Sequence, residues 1–579
     1  MNSIFHQFAS FYRFISGYSD HPFGALKTAA VAQLQGARCD EMAHAISSLV
    51  QRRRWVSDAV FRFMTRTFLA WLLVFISSVT GLAAAERINH DGRLLGPQVV
   101  VSSPLLFNTA AADAVVSSLQ IMPRDSAWNE DISGRPVAAN STAMIQNIRL
   151  DVVNANRQRV VVFKEMNYVL VPNLQPLTTI NFTGYPSESD DLTGSSPRHL
   201  GAWPIPSMMP VESWPSEQPA GLSNADWQMD INGSGGDRHA IIVMPGTGFL
   251  WETWQAIRTT NTPAWEASNG AKFPLTTNAP RPAGWTSGDA AGLPMFPALV
   301  RFDEVQRGTI EHAMRIVVKR SRQAYVYPAS HFAGSTTDVN VPAMGQRLRL
   351  KSLFVVPPSW SSAEQAIARA LKKYGALVAD NGNFFSISIC PDDRWPATAF
   401  DHLSTNAGAD FCDITNFEVV DATGASEGPR SAGAPTADAG IDRTILASTT
   451  LTGAATGTGI TSTWSLYATP TPPGTATFND AQSLTSSVTF SNQGTYTVVL
   501  KVSDGVHTPA YDAAVFTITN GSEAPGTTTS SGGSSGSGAD SGGGGCGVGS
   551  TLACLVAAGT ALGWIAFRFR IPASKPHVS

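Results

Sequence analysis

The sequence predicts a mainly β protein: a large antiparallel β-sandwich or jelly-roll-like domain with one covering helix, a second, smaller β-sandwich, and a C-terminal single-span helix. Three observations predict it. Of 579 residues, 43% are hydrophobic and only 15% charged, with 50 Gly and 36 Pro, a balance that favours turns and strands over long solvated helices. Apolar residues recur mainly in short segments bounded by turn formers. One stretch, 363–374, stands apart with apolar residues at helical spacing. The chain is long enough for more than one domain of ~100–200 residues.

The formal charge of -4, with no long basic run, excludes a nucleic-acid partner, because backbone phosphates are neutralised by clustered Lys and Arg. The cysteines, Cys39, Cys390, Cys412, Cys546 and Cys554, include no C-x-x-C pair, so no metal site is expected. Cys390 and Cys412 either close a short loop as a disulfide in an oxidising compartment or stay as buried thiols.

Residues 1–63 include Arg52-Arg53-Arg54 and look like neither a domain nor a standard leader, so translation is expected to start at Met64, with a long cytoplasmic leader as the alternative. Residues 64–85 read as a signal peptide: Arg66 supplies charge, 68–79 an apolar stretch, and Ala83-Ala84-Ala85 a small-residue cleavage site. Polar Ser77, Ser78 and Thr80 favour cleavage over retention, which puts the mature start near Glu86.

Residues 86–425 form the large domain. Its expected strands are 99–107, 145–153, 159–171, 239–244, 298–305, 312–319 and 347–356. In the helix at 363–374, Ser361 and Glu364 have capping-box spacing, Ile367, Leu371 and Tyr374 share a face, and Gly375 can end it. Segments 376–379 and 384–389 flank Asp380-Asn381-Gly382-Asn383, a hairpin signal. The stretch 172–237, rich in Pro, Ser, Asp and Trp, is expected to pack over a sheet and line a site, and 280–294 reads as an ordered functional loop. Segments 236–239, 293–304 and 373–382 resemble a group of uncharacterised secreted bacterial proteins, which implies one unit over 86–425 and transfers no activity.

The candidate catalytic residues are Asp237, His239, Asp289, Glu304, His312 and His331, acids and histidines close to strand ends that suit acid, base or ligand roles. Satisfied, partly buried histidines explain the same pattern, and no H-x-E-x-H-type spacing occurs. Asp289 with Glu304 or Asp237 would suit glycosidic chemistry. Trp251, Trp254, Trp265 and Trp285 offer stacking surface, and Trp285, Trp251 and Arg301 are candidate ligand contacts. The absence of a G-x-S-x-G elbow, a P-loop and a Rossmann fingerprint argues against an α/β-hydrolase, an NTPase and a dehydrogenase. No cofactor is named by any motif.

Residues 435–519 alternate in short segments, with Asp504-Gly505 as a turn. Trp464, Pro473-Gly474, Phe490, Gly494-Thr495-Tyr496 and Val502-Ser503-Asp504-Gly505 resemble PKD-like (polycystic kidney disease) domains. The resemblance implies an immunoglobulin-like spacer or adhesion module, with Trp464 and Tyr496 in its core. Residues 520–545 have a Gly/Ser-rich tether composition. Residues 546–570 give a membrane anchor or sorting signal: Gly542 to Gly545 and Cys546, an apolar stretch, then Arg568 and Arg570. That order resembles C-terminal sorting signals of the GlyGly-CTERM type, which implies export machinery and a sorting protease as partners.

The expected function is a cell-surface protein, exported across the inner membrane and held by the C-terminal helix, whose large domain binds or processes carbohydrate, with polysaccharide as partner. The alternative is a non-enzymatic adhesion or envelope-interaction protein. Convergence of the six candidate residues in one cleft separates the two.

Overall fold

The computed structural model describes residues 87–194, 198–262, 264–408, 410–421, 429–467 and 474–519. The segments expected to be a leader (1–63), a signal peptide (64–85, with Ala85), a tether and an anchor (with Cys546), and also Pro473, lie outside the described residues. Among the described residues no helix is long and apolar enough to cross a membrane.

In the large domain, β1 (Leu105–Leu106) precedes helices α1 (Ala110–Ser117) and α2 (Ser141–Asp151). β2 (Val160–Lys164), β3 (Val169–Leu170), β4 (Thr178–Phe182) and β5 (Leu200–Trp203) follow, then the short helix α3 (Asn224–Gln228). Next come β6 (Ala240–Met244), β7 (Phe249–Trp254), β8 (Ile257–Arg258), β9 (Trp265–Ala267), β10 (Asn269–Pro274) and α4 (Phe302–Arg307). The domain ends with β11 (Met314–Val318), β12 (Arg347–Leu350), α5 (Ser362–Lys373), β13 (Ala376–Asn381), β14 (Phe385–Ile389) and β15 (Phe417–Val419).

These strands form a five-stranded sheet β1-β3-β6-β7-β10, a six-stranded sheet β15-β12-β13-β11-β14-β2 and a four-stranded sheet β5-β4-β9-β8. Strand alternation in the five-stranded sheet shows how they stack. On β7, Leu250 packs into the core shared with the six-stranded sheet, while Trp251 packs with Ile180, Phe182, Trp203 and Trp265 of the four-stranded one. The five-stranded sheet is therefore the middle of three layers.

The mainly β class holds, and within it the pairings are mixed: β2–β14, β3–β6, β4–β9 and β11–β13 run parallel. The expected hairpin is not one, because β11 lies between β13 and β14 in the sheet. Gly382 donates its N–H to the carbonyl of Val318 at the end of β11, so the Asn-Gly turn carries the chain over a neighbouring strand. Segment 145–153 falls mostly within helix α2 rather than on a strand; Met144, Ile145 and Ile148 bury one helical face there. Segment 298–305 is likewise not a strand but the approach to and start of α4, and 99–107 contributes only Leu105–Leu106.

Helix α5 follows its sequence signals. Ser361 Oγ accepts from Glu364 N–H at 3.1 Å, and the Glu364 carboxylate accepts from Ser361 N–H at 2.8 Å. Ala363, Ile367 and Leu371 are buried against the sheet, and Gly375 takes φ 68 just past the helix end, with the Leu348 carbonyl too close for a Cβ.

The small domain has strands β16 (Thr436–Asp438), β17 (Arg443–Ile445), β18 (Ser448–Thr452), β19 (Ala454–Thr456), β20 (Thr461–Leu466), β21 (Ala476–Phe478), β22 (Thr485–Phe490), β23 (Gly494–Ser503) and β24 (Ala510–Ile518). A four-stranded sheet, β17-β24-β23-β20, faces a three-stranded one, β18-β22-β21, in an immunoglobulin-like sandwich. Trp464 and Tyr496 lie in its core, with the Tyr496 hydroxyl donating to the Asn492 carbonyl at 2.8 Å.

Candidate functional site

Polar side chains gather where the six- and five-stranded sheets face each other, and a buried guanidinium organises them. Arg315 on β11 donates to both carboxylate oxygens of Asp289, at 2.9 and 2.8 Å, and also bonds Ser388 on β14. Ser388 Oγ in turn donates to Glu165, one residue past β2, at 2.6 Å. Glu165 stands 3.9 Å from one terminal nitrogen of Arg315 and Asp380, on β13, 3.6 Å from the other. The Arg315 and Asp289 side chains are closed to solvent, whereas Glu165 and Asp380 are each 24% exposed. The two carboxyls thus flank one buried guanidinium, one at each terminal nitrogen.

The facing layer contributes His239, immediately before β6. Its Nδ1 lies 3.0 Å from a Glu212 oxygen and its Nε2 2.8 Å from the Gly288 carbonyl. Two acceptors require two ring N–H donors, which only the imidazolium has. The backbone locks these groups together: Glu212 N–H donates to the His239 carbonyl at 2.7 Å, and Ser213 N–H to the Glu165 carbonyl at 2.8 Å. Ser213 (φ 63) and Arg238 (φ 46), the neighbours of Glu212 and His239, both occupy the left-handed region. That conformation costs a non-glycine residue ~1 kcal/mol or more, and here it sits beside both ends of the pair. Arg238 is held there by the carbonyls of Ala256, Trp227 and Gln228.

Electrostatics separates the carboxyls into two kinds. Burial, then the charge of Glu212, pushes Glu165 up to about 7 against the attraction of Arg315. Burial, then Asp289, likewise raises Asp380 to about 7. Burial would raise Glu212 as well, but His239 overrides it and holds the carboxyl below its ordinary range. His239 is raised to about 9: burial opposes its charge, and the ion pair and hydrogen bond to Glu212 outweigh burial. Glu252 on β7 is pushed by burial to about 7 while accepting the N–H groups of Met295 and Phe296. The site therefore holds two buried ion pairs, Arg315–Asp289 and His239–Glu212, beside two part-exposed carboxyls that are each raised to about 7.

Of the six candidates from the sequence, only His239 and Asp289 belong to this network. Asp237 is exposed and accepts from the Trp254 indole at 3.1 Å. Glu304 and His312 form a separate buried cluster, 3.0 Å apart, with Arg301. There Arg301 and then His312 overcome burial and hold Glu304 at about 2, so Arg301 pairs internally rather than reaching a ligand. His331 bonds the Ala290 carbonyl at 2.7 Å and stacks on Phe332. Trp251 is buried with its indole on Asp191, and the Arg281 guanidinium lies 5.4 Å from the Trp285 ring. The expected pairing of Asp289 with Glu304 or Asp237 fails because Arg315, Arg301 and Trp254 already occupy those carboxylates. Cys390 and Cys412 are both buried free thiols, so the alternative of two thiols describes them and the disulfide is not formed. Among the described residues no group of three or more His, Cys, Asp or Glu is arranged to hold a metal ion.

Sequence reasoning missed Glu165, Glu212, Arg315 and Asp380. Asp380 looked like a turn residue and Glu165 like the end of a strand. The one available signal was Arg315 itself, a charge at an alternating position within an apolar strand.

No family model matches the chain, and no curated protein matches it. Among solved structures it is similar to the solution structure of the PKD domain from KIAA 1837 protein, at 24% identity over 15% of this chain and 92% of that one, with a TM-score of 0.12. The immunoglobulin-like assignment of 435–519 stands on its own two-sheet topology.

Proposed function

We propose that the large domain cleaves glycosidic bonds in polysaccharide, with Glu165 and Asp380 as its acid and base. The supporting observation is the placement of these two part-exposed carboxyls at opposite terminal nitrogens of one buried guanidinium. With both near half-protonation at neutral pH, Glu165 can protonate a leaving oxygen while Asp380 takes a proton from water. Arg315 and the Glu212–His239 pair fix the geometry. The signal-type segment 64–85 and the anchor-type segment 546–570 support display at the cell surface, with the immunoglobulin-like domain as spacer.

The test is release of reducing ends from a panel of polysaccharides by the full chain, Glu165→Gln and Asp380→Asn. Each substitution is expected to lower turnover by ~10²–10⁴-fold, the usual contribution of a general acid or base. Unchanged turnover in both variants would overturn the assignment. A second reading, non-catalytic adhesion with the network clamping the sheets together, is favoured by the failure of the six sequence candidates to converge in one cleft and by the position of the clefts. Two shallow clefts lie away from the network, one beside Arg347 and Tyr327 and one beside Phe273 and Pro280. Under that reading no polysaccharide is cleaved, and Glu165→Gln changes only stability.

A further inference from the structure

Phe163 lies on β2 two residues before Glu165, and its register partner across the parallel β2–β14 pair is Ser388, the hydroxyl that links Glu165 to Arg315. Registered residues of neighbouring strands share a face, so Phe163 stands beside the candidate site on the same side of the sheet. Its ring meets that of Phe384 edge-on, with centroids 5.0 Å apart, and both side chains are only partly buried. The Arg157 guanidinium lies 4.2 Å from the centre of the Phe384 ring. Beyond it, the Lys319 ammonium bonds the side-chain oxygen of Asn383.

Charge decides what this strip can hold. Among the described residues neither Arg157 nor Lys319 pairs with a carboxylate, whereas the neighbouring Arg320 is satisfied by Asp151 at 3.0 Å. Two cations without acid partners thus sit at an aromatic pair next to the acid–base residues. Phe384 stands at the bend that leads into β14, whose Ser388 meets Glu165, so a run of sugar rings lying along that strand would pass both the aromatic pair and the acid–base residues. Aromatic faces stack on the C–H faces of such rings, and a guanidinium fork matches a carboxylate bidentately.

We infer that Phe163, Phe384, Arg157 and Lys319 form a subsite for a polysaccharide whose rings carry carboxylates, that is, a uronic-acid polymer. This rests on the reading of Glu165 and Asp380 as the acid–base pair and specifies its substrate class. The experiment is affinity measurement on the full chain with polygalacturonate, dextran and dextran sulfate as probes. Polygalacturonate is expected to bind more tightly than neutral dextran, and more weakly as salt rises. The double variant Arg157→Gln/Lys319→Gln is expected to weaken polygalacturonate binding about tenfold or more, the scale of a lost charge-assisted hydrogen bond, while leaving dextran unchanged. Phe384→Ala is expected to weaken it as well, and the surface double variant keeps the test valid should the Phe384 variant unfold. Equal binding of polygalacturonate and dextran, tighter binding of dextran sulfate than of polygalacturonate, or full affinity in the double variant would each overturn the subsite. Turnover lost in Glu165→Gln with unchanged polygalacturonate affinity in the double variant sinks the subsite alone. Weakened affinity in the double variant with undiminished turnover in Glu165→Gln and Asp380→Asn sinks the acid–base reading instead.

Discussion

Asp289 and Arg315 are almost fully buried and answer each other's charge through two parallel hydrogen bonds. Removing one partner leaves the other uncompensated, so Asp289→Ala is expected to cost ~3–5 kcal/mol in chemical denaturation. Glu165→Gln, at the open edge of the same network, is expected to cost much less. The shifted groups also set a pH dependence. Glu165 and Glu252 rise from 4.5 to about 7, and Asp380 from 3.8 to about 7. The folded state therefore binds more protons than the unfolded chain between those values. Their stability contribution is complete at low pH and is lost as pH rises through about 7. His239, raised from 6.5 to about 9, acts in the same direction over a higher window. Glu304, lowered from 4.5 to about 2, acts oppositely, its contribution being lost as pH falls through about 2. The Tm of the full chain is thus expected to fall steadily from pH 5 to pH 9, and a Tm that climbs across that range would contradict the protonation scheme. Turnover, which needs one carboxyl protonated and one ionised, is expected to peak near pH 7.

At the scale of elements, α5 offers the cleanest energetic test, because its cap and its buried face are both local. Ser361→Ala removes the hydroxyl that accepts from Glu364 N–H and is expected to cost about 1 kcal/mol. Leu371→Ala opens a cavity under the helix and is expected to cost ~2–5 kcal/mol, both read as shifts in denaturation midpoint. This helix was legible because capping box, apolar stripe and terminating glycine all lie within one segment. The α2 region was not: Ile145, Ile148 and Val152 are β-branched or apolar residues that suit a strand, and only burial at Met144, Ile145 and Ile148 selects the helix. The Asn-Gly turn was legible as a turn, but β11 enters between its flanking strands from a distant part of the chain, and local sequence carries no record of that. The same limit governs the site. His239 and Asp289 could be read because they neighbour conspicuous strand and loop signals. Glu165, Asp380 and Arg315 come from separate strands of one sheet, so only the crossover order brings them to one place. Segment 172–237 was expected to line a site, and through Glu212 it supplies one member of the network.

At the scale of the whole molecule, the two β domains differ in where their cores come from. The small domain's core, built around Trp464, Tyr496 and Phe516, draws every residue from within 435–519. Its approach to the large domain is narrow and mixed: Arg430 pairs with Glu130 at 3.0 Å, Arg124 donates to the Pro435 carbonyl, and the Tyr511 ring packs on Gly92. Part-exposed pairs of this kind contribute little, so residues 429–519 expressed alone are expected to unfold in a single cooperative transition. Such autonomy is what the proposed spacer role needs. The sequence at either end then predicts where the assembly sits. A short apolar stretch ending in Ala83-Ala84-Ala85 suits export with cleavage, and the apolar run before Arg568 and Arg570 suits retention with those arginines on the cytoplasmic side. In the native host, the mature protein is expected to begin near Glu86, to fractionate with membranes and to be digested by protease added outside the cell. Under the proposed reading, a chain ending at residue 519 is expected to appear in the medium or periplasm with its turnover intact, because Glu165, Asp380 and the small domain's core all lie before the tail. Recovery of the full chain from the cytosol with Ala85 still joined to Glu86 would remove the export reading. It would leave the chemistry of Glu165 and Asp380 to be judged by catalysis alone.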